Sequence, residues 1–218
     1  TWETNGTFDV AMDFELFGGR LGGTVEYFNR TTSDMLLSIA LALSSGYNDY
    51  LGNAGKMRTS GIEWNLRGDI IKTRKVTWSA YANMSLEKNR ILELPNERKT
   101  TSVHGEMVGW YSSSRLTAVG YSRYEMWMAT FAGLDENGKA LFYLRDDDDV
   151  ITDTTDDRAN SDMYLAGDAF PKAYGGFGTT VTWKGFDLTL TFNYRIGGKA
   201  YDSGYASAMT APYGSNVG

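Results

Sequence analysis

The chain has 218 residues, a formal net charge of −6, no cysteine and one histidine, His104. Without thiols there is no disulfide framework or thiolate metal site, one imidazole leaves little basis for a zinc centre or a His-dependent triad, and the acidic balance argues against nucleic acid as a partner. Mean hydropathy is −0.37, and no run of about 18 apolar residues is present that could cross a membrane as a helix.

The first element in chain order is an alternating run, Thr7–Phe17, with Phe8, Val10, Met12, Phe14 and Leu16 on one face and Asp9, Asp13 and Glu15 on the other. A Gly18-Gly19-Arg20 turn leads into Leu21–Arg30, which sets Val25 and Tyr27 against Thr24, Glu26 and Arg30. Lys56–Asp69 sets Ile62, Trp64 and Leu66 against Glu63, Asn65 and Arg67; Val76–Glu87 sets Trp78, Met84 and Leu86 against Thr77, Asn83 and Ser85. Near the C-terminus Ala173–Trp183 and Phe186–Ile196 repeat the design around Lys184-Gly185, with Phe186, Leu188, Leu190 and Phe192 opposite Asp187, Thr189, Thr191, Asn193 and Arg195. Strands of about ten residues with one apolar and one polar face carry the dyad pattern of a transmembrane antiparallel β-barrel, an all-β fold. The low mean hydropathy follows, because only alternate residues of such a strand meet lipid.

Connection lengths alternate as well: short at 18–20, 70–75 and 184–185, long at 31–55, 88–172 and 197–218. Outer-membrane barrels have short periplasmic turns and long extracellular loops, which assigns the long connections to the exterior. Within 88–172, Tyr124–Gly133 and Lys139–Tyr143 read as strands joined by Asp135-Glu136-Asn137-Gly138, whose Asn-Gly is a hairpin signal. The first is apolar on both faces and the second is too short to span. That favours a hairpin within a folded loop, although a pair of spanning strands satisfies parity equally. The chain starts at Thr1 with neither Met nor signal peptide and ends in a Gly/Ser-rich stretch. It is therefore expected to be an internal piece of a longer polypeptide, with its sheet edges paired by strands outside it.

Asp9, Asp13, Glu15, Glu26, Glu63, Arg67, Asn193 and Arg195 are expected to face the lumen, in a lattice of carboxylates with Arg30, Arg58, Arg67 and Arg195. Paired carboxylates also serve glycosidases, but a wide barrel has a polar interior by default, and the lattice is favoured. Asp146, Asp147, Asp148 and Asp149 form a weak Ca²⁺ candidate. Calcium takes roughly six to eight oxygens, yet the spacing fits no EF-hand, and a solvated loop is the preferred reading. His104 near Ser102 lacks a placed acid for a Ser-His dyad, so no catalytic residue and no cofactor are expected. Trp110, Tyr111, Tyr124 and Trp127 either stack on a ligand or partner or form the small core of a folded loop, the latter being favoured. Leu41 and Leu43 alternate with Ala40 and Ala42 and offer an apolar edge to a partner. Trp64, Trp78, Trp183 and Tyr27 suit the aromatic girdle at the bilayer interface.

Several segments resemble the SusC/RagA family of TonB-dependent outer-membrane transporters of Bacteroidetes, and they occur in family order. They are Tyr27 to Leu37, Ser44-Ser45-Gly46-Tyr47 with Asn53 to Glu63, Ala132 to Lys139, Gly167 to Lys172 with Tyr174-Gly175-Gly176, and Trp183 to Leu188. The resemblance implies a segment from the C-terminal part of a 22-stranded barrel, without the plug, the energy-coupling box or the remaining strands. It implies import of oligosaccharides or oligopeptides, a SusD-like surface lipoprotein as a lid, contact with TonB through the absent plug, and dimerisation of transporter–lipoprotein pairs as an open question. The rival reading is a soluble β-sandwich carbohydrate-binding module, which leaves the apolar stripes and the loop-length asymmetry unexplained.

Overall fold

The computed structural model describes residues 2–41, 44, 46, 47, 49–146, 148, 150–158 and 161–205. The strands are β1 (Thr4–Leu16), β2 (Leu21–Ser33), β3 (Leu36–Ala40), β4 (Asp49–Asn53), β5 (Lys56–Lys72), β6 (Val76–Glu93), β7 (Thr101–Val103) and β8 (Glu106–Ser112). They continue as β9 (Arg115–Ala118), β10 (Glu125–Ala129), β11 (Phe131–Leu134), β12 (Ala140–Arg145), β13 (Ile151–Thr155), β14 (Met163–Asp168), β15 (Ala173–Trp183) and β16 (Phe186–Ile196).

The six alternating segments become one antiparallel sheet in the order β1-β2-β5-β6-β15-β16. Every strand pairs with its neighbours in chain order, apart from those inserted in the two long connections. Register fixes the faces, because directly paired residues point the same way. Met12 pairs with Val25, Val25 with Trp64 and Trp64 with Met84; Phe14, Gly23, Leu66, Ala82, Phe177 and Phe192 form the next row. One apolar face thus runs unbroken across six strands, and Phe8, Met12, Phe177, Leu188 and Leu190 on it are exposed.

Tight turns close the sheet at one end. Lys184 and Gly185 have φ of 48° and 84°, the positive pair that a two-residue type I′ hairpin requires. At the other end the chain leaves in long excursions. The first contains the hairpin β3–β4; Leu36–Ala40 is extended, as its alternation suggests, Leu41 is half-buried, and Leu43 lies outside the described residues.

The second excursion folds as a module with two sheets, β14-β10-β9-β8-β7 and β11-β12-β13. The expected strand Tyr124–Gly133 is divided at Thr130 into β10 and β11, which belong to different sheets. Its two apolar faces are explained by that split and by a register shift between Met126 and Trp127. The hairpin itself forms: Phe131 pairs with Phe142, and the Asp135 carboxylate accepts the N–H groups of Asn137 (2.9 Å) and Lys139 (2.7 Å). Val103, Leu116, Ala118 and Trp127 make the module's core, with Met163 and Leu165 packed on it.

The module is stitched to the sheet rather than tethered. β6 runs on beyond the last residue paired with β15, and Ile91, 1% exposed, donates its N–H to Tyr121 O and accepts from Gly120 N–H. The Asn89 side chain accepts the N–H of Arg123 (3.0 Å) and donates to Thr59 Oγ1 (2.8 Å).

Leu116 is fully buried, so Leu116→Ala should cost the module about 2–5 kcal/mol. Limited proteolysis should then cut within 94–172 at lower protease concentration, while the heat resistance of the sheet stays that of the parent.

Candidate functional site

All eight residues expected on the lumen side lie on the polar face of the six-stranded sheet. One row reads Asp13, Thr24, Asn65, Asn83, Gly176, Asn193, and another reads Glu26, Glu63, Ser85, Tyr174, Arg195. Thr24 Oγ1 donates to Asp13 (2.5 Å), Ser85 Oγ donates to Glu63 (2.9 Å), and the Asn83 side chain accepts the N–H of Gly176 (3.0 Å).

A third row uses glycine to let long side chains cross a strand. It reads Glu15, Gly22, Arg67, Tyr81, Gly178, Thr191. Arg67 lies over Gly22, where an added Cβ would sit 3.0 Å from its Nε, and reaches Glu15 at 2.9 Å. Tyr81 lies over Gly178 in the same way and points its hydroxyl at Thr191, 3.5 Å away. Strands about 4.8 Å apart put Glu15 and Arg67 about 9.6 Å from each other; only a residue without a side chain between them permits the contact.

The arginine lattice is sparser than expected. Arg58 pairs with Arg90 in register and shares the parity of Ser60 and Ile62, which places it on the other face beyond the apolar belt. Alternation back from Ile62 already carries Arg58 to that face, so the lattice reading of Arg58 fails on parity. Asp9, Asp13, Glu15, Glu26, Glu63, Asp69, Glu87 and Asp187 face only Arg30, Arg67, Lys72 and Arg195 on the polar side. Glu26 and Glu63 are direct neighbours, and like charges so placed repel. The face is electronegative.

Polar atoms on the apolar face turn back into the sheet. Trp78 Nε1 donates to Thr179 Oγ1 (2.7 Å), Thr179 donates to Ser79 O (3.0 Å), and Tyr194 OH donates to Asn83 O (3.0 Å). On β6 the apolar stripe spans Val76 to Leu86 and is followed by Lys88 and Arg90. Ten residue steps at about 3.4 Å, inclined about 45°, make a band about 24 Å tall, the height of the lipid-facing band of an outer-membrane barrel. Trp183 and Tyr27 lie at the two margins of that band. Trp64, in the row of Val25 and Met84, lies one row inside the margin marked by Tyr27, as Trp78 lies one row inside the margin marked by Trp183.

In the module, Trp127 is 7% exposed and belongs to the core, so the loop-core reading holds for it. Trp110 is half-buried beneath the Arg98 guanidinium, 4.4 Å from the ring centre. Tyr124 stacks on Phe170 at 5.6 Å, and Phe170 meets Tyr174 edge-on at 6.3 Å, joining module to sheet. Tyr111 is exposed. His104 occupies the apex of the β7–β8 turn with φ of 49°. The Asp146 carboxylate accepts the N–H groups of Asp148 (3.1 Å) and Val150 (2.9 Å), holding its own turn. Asp147 and Asp149 lie outside the described residues, and among the described residues no three His, Asp or Glu gather as a cation site.

The geometry has the form of a barrel wall, and the comparison with known families decides it. The family model described as "TonB dependent receptor-like, beta-barrel" matches residues 1–216. The chain belongs to that family. As a TonB-dependent receptor β-barrel segment it is 25% identical over 215 residues to TonB-dependent receptor P26 of Formosa agariphila, covering 93% of this chain and 21% of that protein. It is 23% identical over 208 residues to TonB-dependent receptor SusC of Bacteroides thetaiotaomicron, covering 92% and 20%. The RagAB peptide importer in its open-open state superposes with a TM-score of 0.75 at 26% identity, covering 91% of this chain and 21% of that one. The closed-closed state gives 0.72 at the same identity. The segment spans about a fifth of the length of the curated relatives it matches.

At the module's base, burial first and then the Asp168 carboxylate push Glu125 above its ordinary value of 4.5, against the Gly167 N–H and Lys199. A carboxyl raised by folding destabilises the fold when it ionises. The penalty appears as pH rises through 4.5 and is complete above the raised value. Glu125→Gln should therefore raise the module's thermal stability at neutral pH, and the gain should vanish in acid, as read by differential scanning calorimetry at several pH values.

Proposed function

We propose that this segment is part of the wall of an outer-membrane importer, with its apolar face in lipid and its polar face lining the lumen. The observation that carries this reading is the continuous apolar belt, about 24 Å tall, backed on the opposite face mainly by hydroxyls, amides, charges and glycines. In water the belt would be an aggregation surface; in a bilayer it is the required exterior. The short turns then lie in the periplasm and the module stands outside the cell.

The imported cargo is an oligopeptide or oligosaccharide, drawn through the barrel by TonB acting on a plug outside this segment. A SusD-like lipoprotein closes the extracellular side over the long loops. The SusC and RagAB relatives support both statements. The electronegative wall favours neutral or cationic cargo over polyanions, because a lumen lined by one sign of charge attracts the opposite sign.

Face assignment is tested by paired substitutions. Leu190→Arg should destabilise the barrel by about 2–4 kcal/mol, whereas Arg at Thr191, one residue along on the polar face, should cost far less. Equal tolerance in a lipid-vesicle folding titration would reverse the assignment. Import is tested by deleting the full-length gene: growth on the oligomeric nutrient should stop while growth on its monomers continues. Undiminished growth on both would remove the importer reading.

A further inference from the structure

The module is an antiparallel sheet that curls toward closure and lacks one strand. In a flat sheet β7 and β14, at opposite ends of the order, would lie about 19 Å apart. Instead Val103 of β7 and Leu165 of β14 pack into the same core, and both edges line one cavity of about 390 Å³. The slot between them is a place where pairing stops.

Direction shows which strand would fit between the edges. Each of the four pairings from β14 to β7 is antiparallel, so the two edge strands run the same way. One strand running opposite to both would complete an all-antiparallel closed barrel.

The backbone groups that such a strand would need are identifiable. Trp127 donates its N–H to Ser114 O (3.0 Å), toward β9. Its partner on β14, Leu165, therefore aims its own N–H and C=O at the slot, as does Met163 two residues earlier. On β7, Val103 and Glu106 close the two-residue His104-Gly105 turn, so the next residue, Ser102, points outward. Among the described residues none of these groups has a hydrogen-bond partner across the slot.

We propose that this slot binds a short extended peptide by β-augmentation, capturing cargo outside the cell. The inference rests on the importer reading and narrows its cargo to peptides. Strand addition recognises main chain, which glycans lack. The cavity is small and its surroundings are polar, including Ser102, His104, Asp146, Ser161 and Asp162. That suits a few residues of a soluble, releasable peptide; a resident lipoprotein contact would bury on the order of 1,200–2,000 Å².

The test uses the full-length transporter in detergent, with a tryptic digest of casein and with maltoheptaose as probes. Short peptides should be retained and maltoheptaose should not. For one retained peptide, Ser102→Pro and Met163→Pro, which remove slot-facing N–H groups at an edge that tolerates proline, should each weaken binding about tenfold. Ser102→Ala, which keeps the backbone, should leave it nearly unchanged. N-methylation of alternate peptide residues should weaken binding to the unaltered protein in either phase, because one set of amides faces β7 and the other faces β14. Retention of maltoheptaose instead, no retained peptide, or indifference to both proline and N-methylation would overturn the proposal. If uptake in cells depends on the gene but not on the two prolines, the slot is refuted and import stands. If uptake is independent of the gene, import fails while peptide binding still decides the slot.

Discussion

In hydrocarbon a backbone amide has no water to turn to, and each unpaired N–H or C=O costs several kcal/mol. That constraint shapes the six-stranded sheet. The four inner strands are paired on both sides along their membrane-spanning length, the pleat sends alternate side chains to opposite faces, and any slip by one residue would exchange those faces along an entire strand. The side-chain polar atoms on the apolar face obey the same rule, which is why Trp78, Thr179 and Tyr194 bond back into the sheet.

Within that frame the glycines of the wall have a lateral role. Gly22 and Gly178 leave clear lanes across the strands, through which Arg67 and Tyr81 lie down. The Glu15–Arg67 pair is exposed on both sides, so its contribution to stability is small, as for surface ion pairs in general. Its effect is on shape: the guanidinium lies flat against the wall instead of projecting from it.

The spanning strands were legible because a barrel wall writes its structure into a period of two. Phe186 through Arg195 carry that signal with nothing else competing, and the eight polar-face residues followed from parity alone. Legibility failed where the period was broken or the partner was distant. The shift between Met126 and Trp127 and the break at Thr130 hid two strands inside one apolar run. β7, β9 and β14 are too short to show a period, and their pairing is set by contacts far along the chain. The slot between β7 and β14 had no signal in the sequence, since it is made by two edges that fail to meet.

The module leaves the wall from β6 and returns on β15, two strands already paired from Ser85–Tyr174 down to Val76–Trp183. The wall is thus complete without it. Loop-closure entropy rises slowly, by about 0.6 kcal/mol for each doubling of length, so what hangs between these two strands can be lengthened, exchanged or rebuilt while the membrane-spanning register stays intact. The architecture separates what must be held fixed from what can be rewritten: the register of the barrel wall lies in one set of strands, and the inserted module in another.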